Sequence, residues 1–206
     1  MLIAKKSATV PQISEGVHPA ICYSVIDCGV QYNTNFDKSS RKVMLMWELP
    51  DETYTYEGEE RRRVISKEYT LSLNDLSKLR GDLRGWRGRD FTPEEFEGFS
   101  LDKLLGVGCQ LHIIHNDKGY AKIQSVLPLP KGTKLGDPIN KLLMLDLDED
   151  SPEQITSKLD MLPEWIRKKI TDSETYQKAM DGSSNAKSSD ADVEMVEDDE
   201  DGDLSF

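Results

Sequence analysis

The chain has 206 residues, 37% of them hydrophobic, with 38 Asp and Glu against 26 Lys and Arg, a formal net charge of −12; this length suits one ordinary domain with extensions. It has no apolar run of about 18 residues, which excludes a membrane helix, and its opening, MLIAKKSATVPQ, lacks the apolar region of a signal peptide. The charge is unevenly placed: residues 1–145 hold 20 bases and 19 acids, whereas residues 181–206 hold ten acids and one base, Lys187, the pattern of a folded body and a solvated tail that meet different partners.

From Gly16 to Tyr32 the segment GVHPAICYSVIDCGVQY is rich in β-branched and aromatic residues and predicts one curved strand that bends near Gly29. The polar stretch NTNFDKSS reads as a loop. RKVMLMWEL then places Val43, Leu45 and Trp47 on one face and Met44 and Met46 on the other, and two apolar faces predict a sheet curled upon itself. PDETYTYEGEERRR reads as a long hairpin excursion before VISKEYTLSL, the third strand. Asn74 is expected to cap a helix in which Leu76, Leu79 and Leu83 recur at helical spacing up to GWRGR. Thr92, Pro93 and Glu95 supply the cap, first position and capping box of a shorter second helix. LDKLLG predicts a further helical turn, CQLHIIHN a fourth strand, NDKG a turn and YAKIQSVLPL a fifth strand.

Three strands, a helical insert and two more strands is the order of the OB-fold, a five-stranded Greek-key barrel that commonly binds oligonucleotides on one face. The expected architecture is thus mainly β over residues 1–130, with a C-terminal extension over 131–180 and a disordered acidic tail over 181–206. In the extension only LPEWIRKKI carries an amphipathic helical pattern, through Trp165, Ile166 and Ile170. The tail holds too little apolar surface to offset the entropy of ordering it. Cys22, Cys28 and Cys109 are odd in number and sit mostly among apolar neighbours, as in reduced core residues of a cytoplasmic protein.

Single-stranded nucleic acid is held by cations that follow the phosphates and by rings on which bases stack. Arg41, Lys42 and Trp47 on the second strand, Tyr54 and Tyr56 in the hairpin, and Arg61, Arg62, Arg63, Lys67 and Tyr69 on the third strand form the leading candidate face. Tyr32 and Phe36 near the first turn, and Lys118, Tyr120 and Lys122 around the last hairpin, extend it, because OB-fold loops flank the same groove. The competing reading buries Trp47 and Tyr69 in the core and lets the arginine run balance the preceding EGEE. A second candidate, LRGDLRGWRGRDF, gathers Arg80, Arg84, Arg87 and Arg89 around Trp86. Its neighbours Asp82, Asp90, Glu94, Glu95 and Glu97 favour an ion-paired connector instead, with Trp86 plugging the end of the barrel.

The tail ends in EDDEDGDLSF, where Asp198, Asp199, Glu200, Asp201 and Asp203 precede Leu204 and a terminal Phe206. Such an extension can insert the Phe ring into a partner's pocket while its carboxylates meet basic residues around it. This tip resembles that of bacterial single-stranded DNA-binding proteins, with Ser205 standing where that family has Pro. The body, with WELP, SKEYTLSL, LRGWRGRDFT and GFSLDKLLG, resembles uncharacterised phage replication-module proteins, a group associated with single-stranded DNA. The resemblance implies binding and protection of single-stranded DNA during replication and recombination in the cytoplasm of a bacterial host, with host replication and recombination proteins as tail partners.

Catalysis has no evident seat in the sequence. Cys109, His112 and His115 do not share one strand face, and no CxxC pair, HExxH helix, P-loop, GxGxxG or nucleophile elbow is present. A binding protein without cofactor or metal is expected. Its alternatives are a strand-annealing or recombination-mediator protein and an acidic interaction protein or DNA-mimic inhibitor.

Overall fold

The computed structural model describes residues 12–35, 37–56 and 58–181, together with the backbone of residues 204 and 205. Strands β1 (Gly16–Asn33), β2 (Lys38–Tyr56) and β3 (Glu59–Thr70) form an antiparallel meander. β4 (Gly108–His115) then returns to β1, and β5 (Ala121–Leu127) pairs with β4. β1 is shared between neighbours, lending Gly16–Ile21 to β4 and Ile21–Asn33 to β2. Two register shifts, at Cys22/Ser24 and Asp27/Gly29, supply the bend this requires, since each irregularity adds local twist. Gly29 has φ +69°, and a Cβ there would stand 2.4 Å from Ser173 Oγ, so backbone conformation and close approach both select glycine.

The molecule is mainly β, but the sheet is open. Among the described residues β3 and β5 share no ladder, and Lys67 Nζ of β3 reaches across to Ile123 O of β5 at 3.0 Å. The hairpin excursion expected at 50–63 is present as the outer part of the β2–β3 pair, which runs antiparallel from Lys42↔Thr70 to Tyr56↔Glu59 and shifts register once, between Leu49 and Thr53.

Between β3 and β4 lie α1 (Lys78–Arg87), α2 (Pro93–Glu97) and a 3-10 turn at Leu101–Leu104. Ser77, not Asn74, caps α1, its side chain accepting from Arg80 N, while the Asn74 carbonyl accepts from Ser77 N. Thr92 and Glu95 close the capping box expected for α2. α1 buries Leu79, Leu83 and Trp86. It approaches β5 so closely that a Cβ on Gly85 would stand 2.6 Å from Val126 O.

Two hydrophobic cores sandwich the sheet. On one face Val25, Val43, Leu45, Trp47, Ile65, Leu111 and Ile123 pack with the α1 residues, and the Trp47 and Trp86 rings lie 6.0 Å apart. On the other, Ile26, Met44 and Met46 are covered by the extension: β6 (Leu143–Leu145), which pairs parallel with β1, then α3 (Pro152–Leu159), α4 (Glu164–Thr171) and α5 (Glu174–Met180). The second apolar face of β2 therefore exists to receive the extension rather than to curl the sheet. Leu204–Ser205 form a last short strand, β7, against β3, where the sequence predicts disorder. No described helix is long and apolar enough to cross a membrane.

Candidate nucleic-acid interface

The extension uses up several of the cations assigned to the binding face. Glu48 is fully buried on β2 and accepts from Arg62 Nη1 at 2.6 Å, Ile139 N at 3.0 Å, and Asn140 N and Nδ2 at 2.9 and 2.7 Å. Burial pushes its carboxyl up, but the donors from Asn140, Arg62 and Ile139 outweigh that and hold it below the usual carboxylate range. Arg62 also donates to Asp137 O. Arg41 is clamped between Asp27 and Asp148. Farther along, Lys169 pairs with Glu68, Thr175 Oγ1 accepts from Val30 N, and Lys42 donates to Thr70 Oγ1. Arg41 and Arg62 thus fasten the extension to the sheet. The sequence offers a signal for this latch, the lone acid in RKVMLMWEL, because a carboxylate in an apolar strand needs donors brought to it.

Other candidates point inward. Trp47 is 0% and Tyr69 2% exposed, so neither ring offers a face to a base, which corrects their place in the binding face. Lys67 is buried as well, 3.1 Å from Asp82 Oδ2, which also accepts from Tyr69 OH at 2.8 Å. A cation inside the sheet is tolerable because a carboxylate and the Ile123 carbonyl satisfy it.

What remains outside is the distal half of the β2–β3 pair. There the exposed Arg61 stacks on the Tyr56 ring at 5.1 Å, with Tyr56 47% exposed, while Arg63, which is buried, stacks on the half-buried Tyr54 ring at 4.8 Å. Arg61 also lies 3.2 Å from Glu59. The β4–β5 turn is the second uncovered element: Asn116 Oδ1 accepts from Lys118 N and Tyr120 N, Lys118 is exposed, Lys122 half-buried, and Tyr120 54% exposed.

Residues 12–18 tie these two elements together at one end of the sheet. Gln12 Oε1 accepts from Ala121 N, the Ile13 carbonyl lies 2.7 Å from His115 Nε2, and Ser14 Oγ donates to Glu52 Oε1 at 2.6 Å. Tyr32, 60% exposed and donating to Asp37, sits opposite Ser39 at the far end of β2, roughly 55 Å of strand from Tyr56. It does not join them. Phe36 and the tail residues Asp198, Asp199, Glu200, Asp201, Asp203 and Phe206 lie outside the described residues.

Compared with protein-family models, curated proteins and solved structures, the chain matches none.

The arginines around Trp86 are engaged with acids. Arg80 meets Asp75 and Asp90, Arg89 lies 2.8 Å from Glu95, and Arg87 pairs with Glu95 while stacking on Phe91 and Phe99 at 4.5 and 4.8 Å. Arg89 and Arg87 hold the Glu95 carboxyl well below its ordinary range. Trp86 Nε1 donates to Gly108 O at 2.9 Å, which locks the helical insert onto β4. Cys109 lies in the core, where burial raises its thiol.

Proposed function

We propose that the chain binds single-stranded DNA without strong sequence preference through the β2–β3 arm and the β4–β5 turn, and that its acidic tail recruits replication and recombination proteins. A meander of three strands, a helical insert and a fourth strand returning to the first is the connectivity of an OB-fold, and it supports reading the open sheet as a variant of that barrel. The Arg61–Tyr56 stack, both of whose members are exposed, carries the proposal. It holds a cation for a phosphate beside a ring whose opposite face can take a base, and base–aromatic stacking is tolerant of sequence. The extension narrows the binding track to this end of the sheet.

Three cations, Arg61, Lys118 and Lys122, make the track modest. With about 0.7 counterions released per phosphate contact on a single strand, log K should fall with log salt at a slope near −2. Titrating a fluorescent dT oligomer at 50 and 200 mM salt should therefore show about a 20-fold loss of affinity. A salt-independent affinity would contradict the electrostatic track, and an absence of oligonucleotide binding would leave the acidic interaction protein as the reading.

A further inference from the structure

The outer side of β3 is a sheet edge, and an edge is a row of backbone donors and acceptors that accepts an extended chain laid beside it. Part of this edge is occupied by the protein itself. β7 lies antiparallel to β3, with Ser205 opposite Ile65 and Leu204 opposite Ser66, and it also lies against β5. The tip thus sits in the gap between the two strands that leave the sheet open. We propose that this gap is a strand-acceptor site for an extended peptide, with the chain's own C-terminal tip as its resident ligand. The inference goes beyond the DNA-binding reading and does not rest on it.

Three features make the gap a receptor for this segment. Ile65 and Ser66 are buried where the tip pairs with them, so an unfilled gap would leave backbone of β3 without its ladder partner beside buried residues. β3 and β5 together carry five bases, Arg61, Arg62, Arg63, Lys67 and Lys122, against three acids, Glu59, Glu60 and Glu68, a net positive wall for a tip that follows EDDEDGD. The 24 residues from Asp181 to Leu204 can span up to roughly 75 Å, so reach does not limit the tip, and a tether of this kind gives it a high effective concentration at its own gap.

A two-residue ladder makes few hydrogen bonds, so the tip can leave. While seated there it is unavailable to a partner, and a partner that captures it empties the gap. Docking of the tail on a partner and occupancy of the gap by the tip are then mutually exclusive, and the gap can accept another extended acidic segment only when the tip is away.

Hydrogen exchange on the full-length protein tests this. Leu204→Pro with Ser205→Pro strips the tip of both N–H groups and prevents pairing. Of Ile65 and Ser66, whose amides alternate between the two sides of β3, the one facing the gap should exchange at least tenfold faster in the double variant, with amides of β1 unchanged. Adding the peptide EDDEDGDLSF to that variant should restore slow exchange saturably, and the same peptide with both prolines should not. Unchanged exchange in the variant would overturn the proposal, as would a peptide that fails to restore protection. Protection of the wild-type amide that disappears on dilution would place a second copy's tip in the gap and overturn the occupancy by its own.

Discussion

Residues 42–49 and residues 53–56 belong to the same strand and pair with the same neighbour, yet their surroundings are opposite. In the first stretch Val43, Leu45 and Trp47 face the α1 core while Met44, Met46 and Glu48 face the extension, so both sides are sealed. Past the register shift, Tyr54 is half-buried and Tyr56 47% exposed, with Arg63 and Arg61 of β3 over their rings. One half of the pair is given over to holding the molecule together, and the other is open to solvent at Tyr56 and Arg61. An aromatic or basic residue on β2 acquires its role from which half it occupies, not from its chemistry.

The largest effect expected from that contrast is at Trp47. Trp47→Ala removes the ring packed against Trp86 and should cost about 3 to 5 kcal/mol in denaturant unfolding; a cost below about 1 kcal/mol would deny that this half is core. Glu48→Gln should follow, at about 3 kcal/mol, because it breaks a buried ion pair and weakens the latch to Ile139 and Asn140. This carboxylate also gives a pH signature. Its folded value lies below the ordinary 4.5, so its stabilisation is complete above that pH and is lost as pH falls through the lower folded value. Unfolding measured from pH 6 to pH 3 should show that loss in the wild type and a shallower one in Glu48→Gln.

Gly29→Ala should cost about 1 to 2 kcal/mol from its left-handed backbone alone, with more from displacing Ser173, and should loosen α5 before the sheet. Smallest in stability is Tyr56→Ala on the open arm, within about 0.5 kcal/mol. Its effect should appear instead in oligonucleotide affinity, reduced about 5- to 100-fold by loss of one stack. A Tyr56→Ala protein that unfolds as readily as Trp47→Ala would erase the distinction between the two halves.

The elements most legible in the sequence were those whose period and punctuation agreed. β1 was readable from Gly16 onward with its bend at Gly29, as were the Thr92–Pro93–Glu95 cap of α2, and β4 and β5 around NDKG. The arm was readable as a hairpin excursion but not as part of the long strands β2 and β3, because PDETYTYEGEERRR carries no Val, Ile or Leu to continue their pattern. In the extension the pattern of LPEWIRKKI showed α4, while α3 went unseen although Ser151, Pro152 and Gln154 spell a capping box.

The candidate site was half legible. Tyr54, Tyr56, Arg61 and Tyr120 were found by residue type. The burial of Trp47, Tyr69 and Lys67 and the consumption of Arg41 and Arg62 depend on contacts 13 to more than 100 positions away, with Asp82, Trp86, Asp137 and Asp148, which no local pattern encodes.

Photocrosslinking with an iodouracil-substituted dT oligomer, mapped by mass spectrometry, tests most directly where a strand would run. Adducts on Tyr54, Tyr56 and Tyr120, competed away by unmodified dT, are the expected result. Adducts concentrated on Trp86 or the surrounding 80–89 segment, with the arm unmodified, would contradict it.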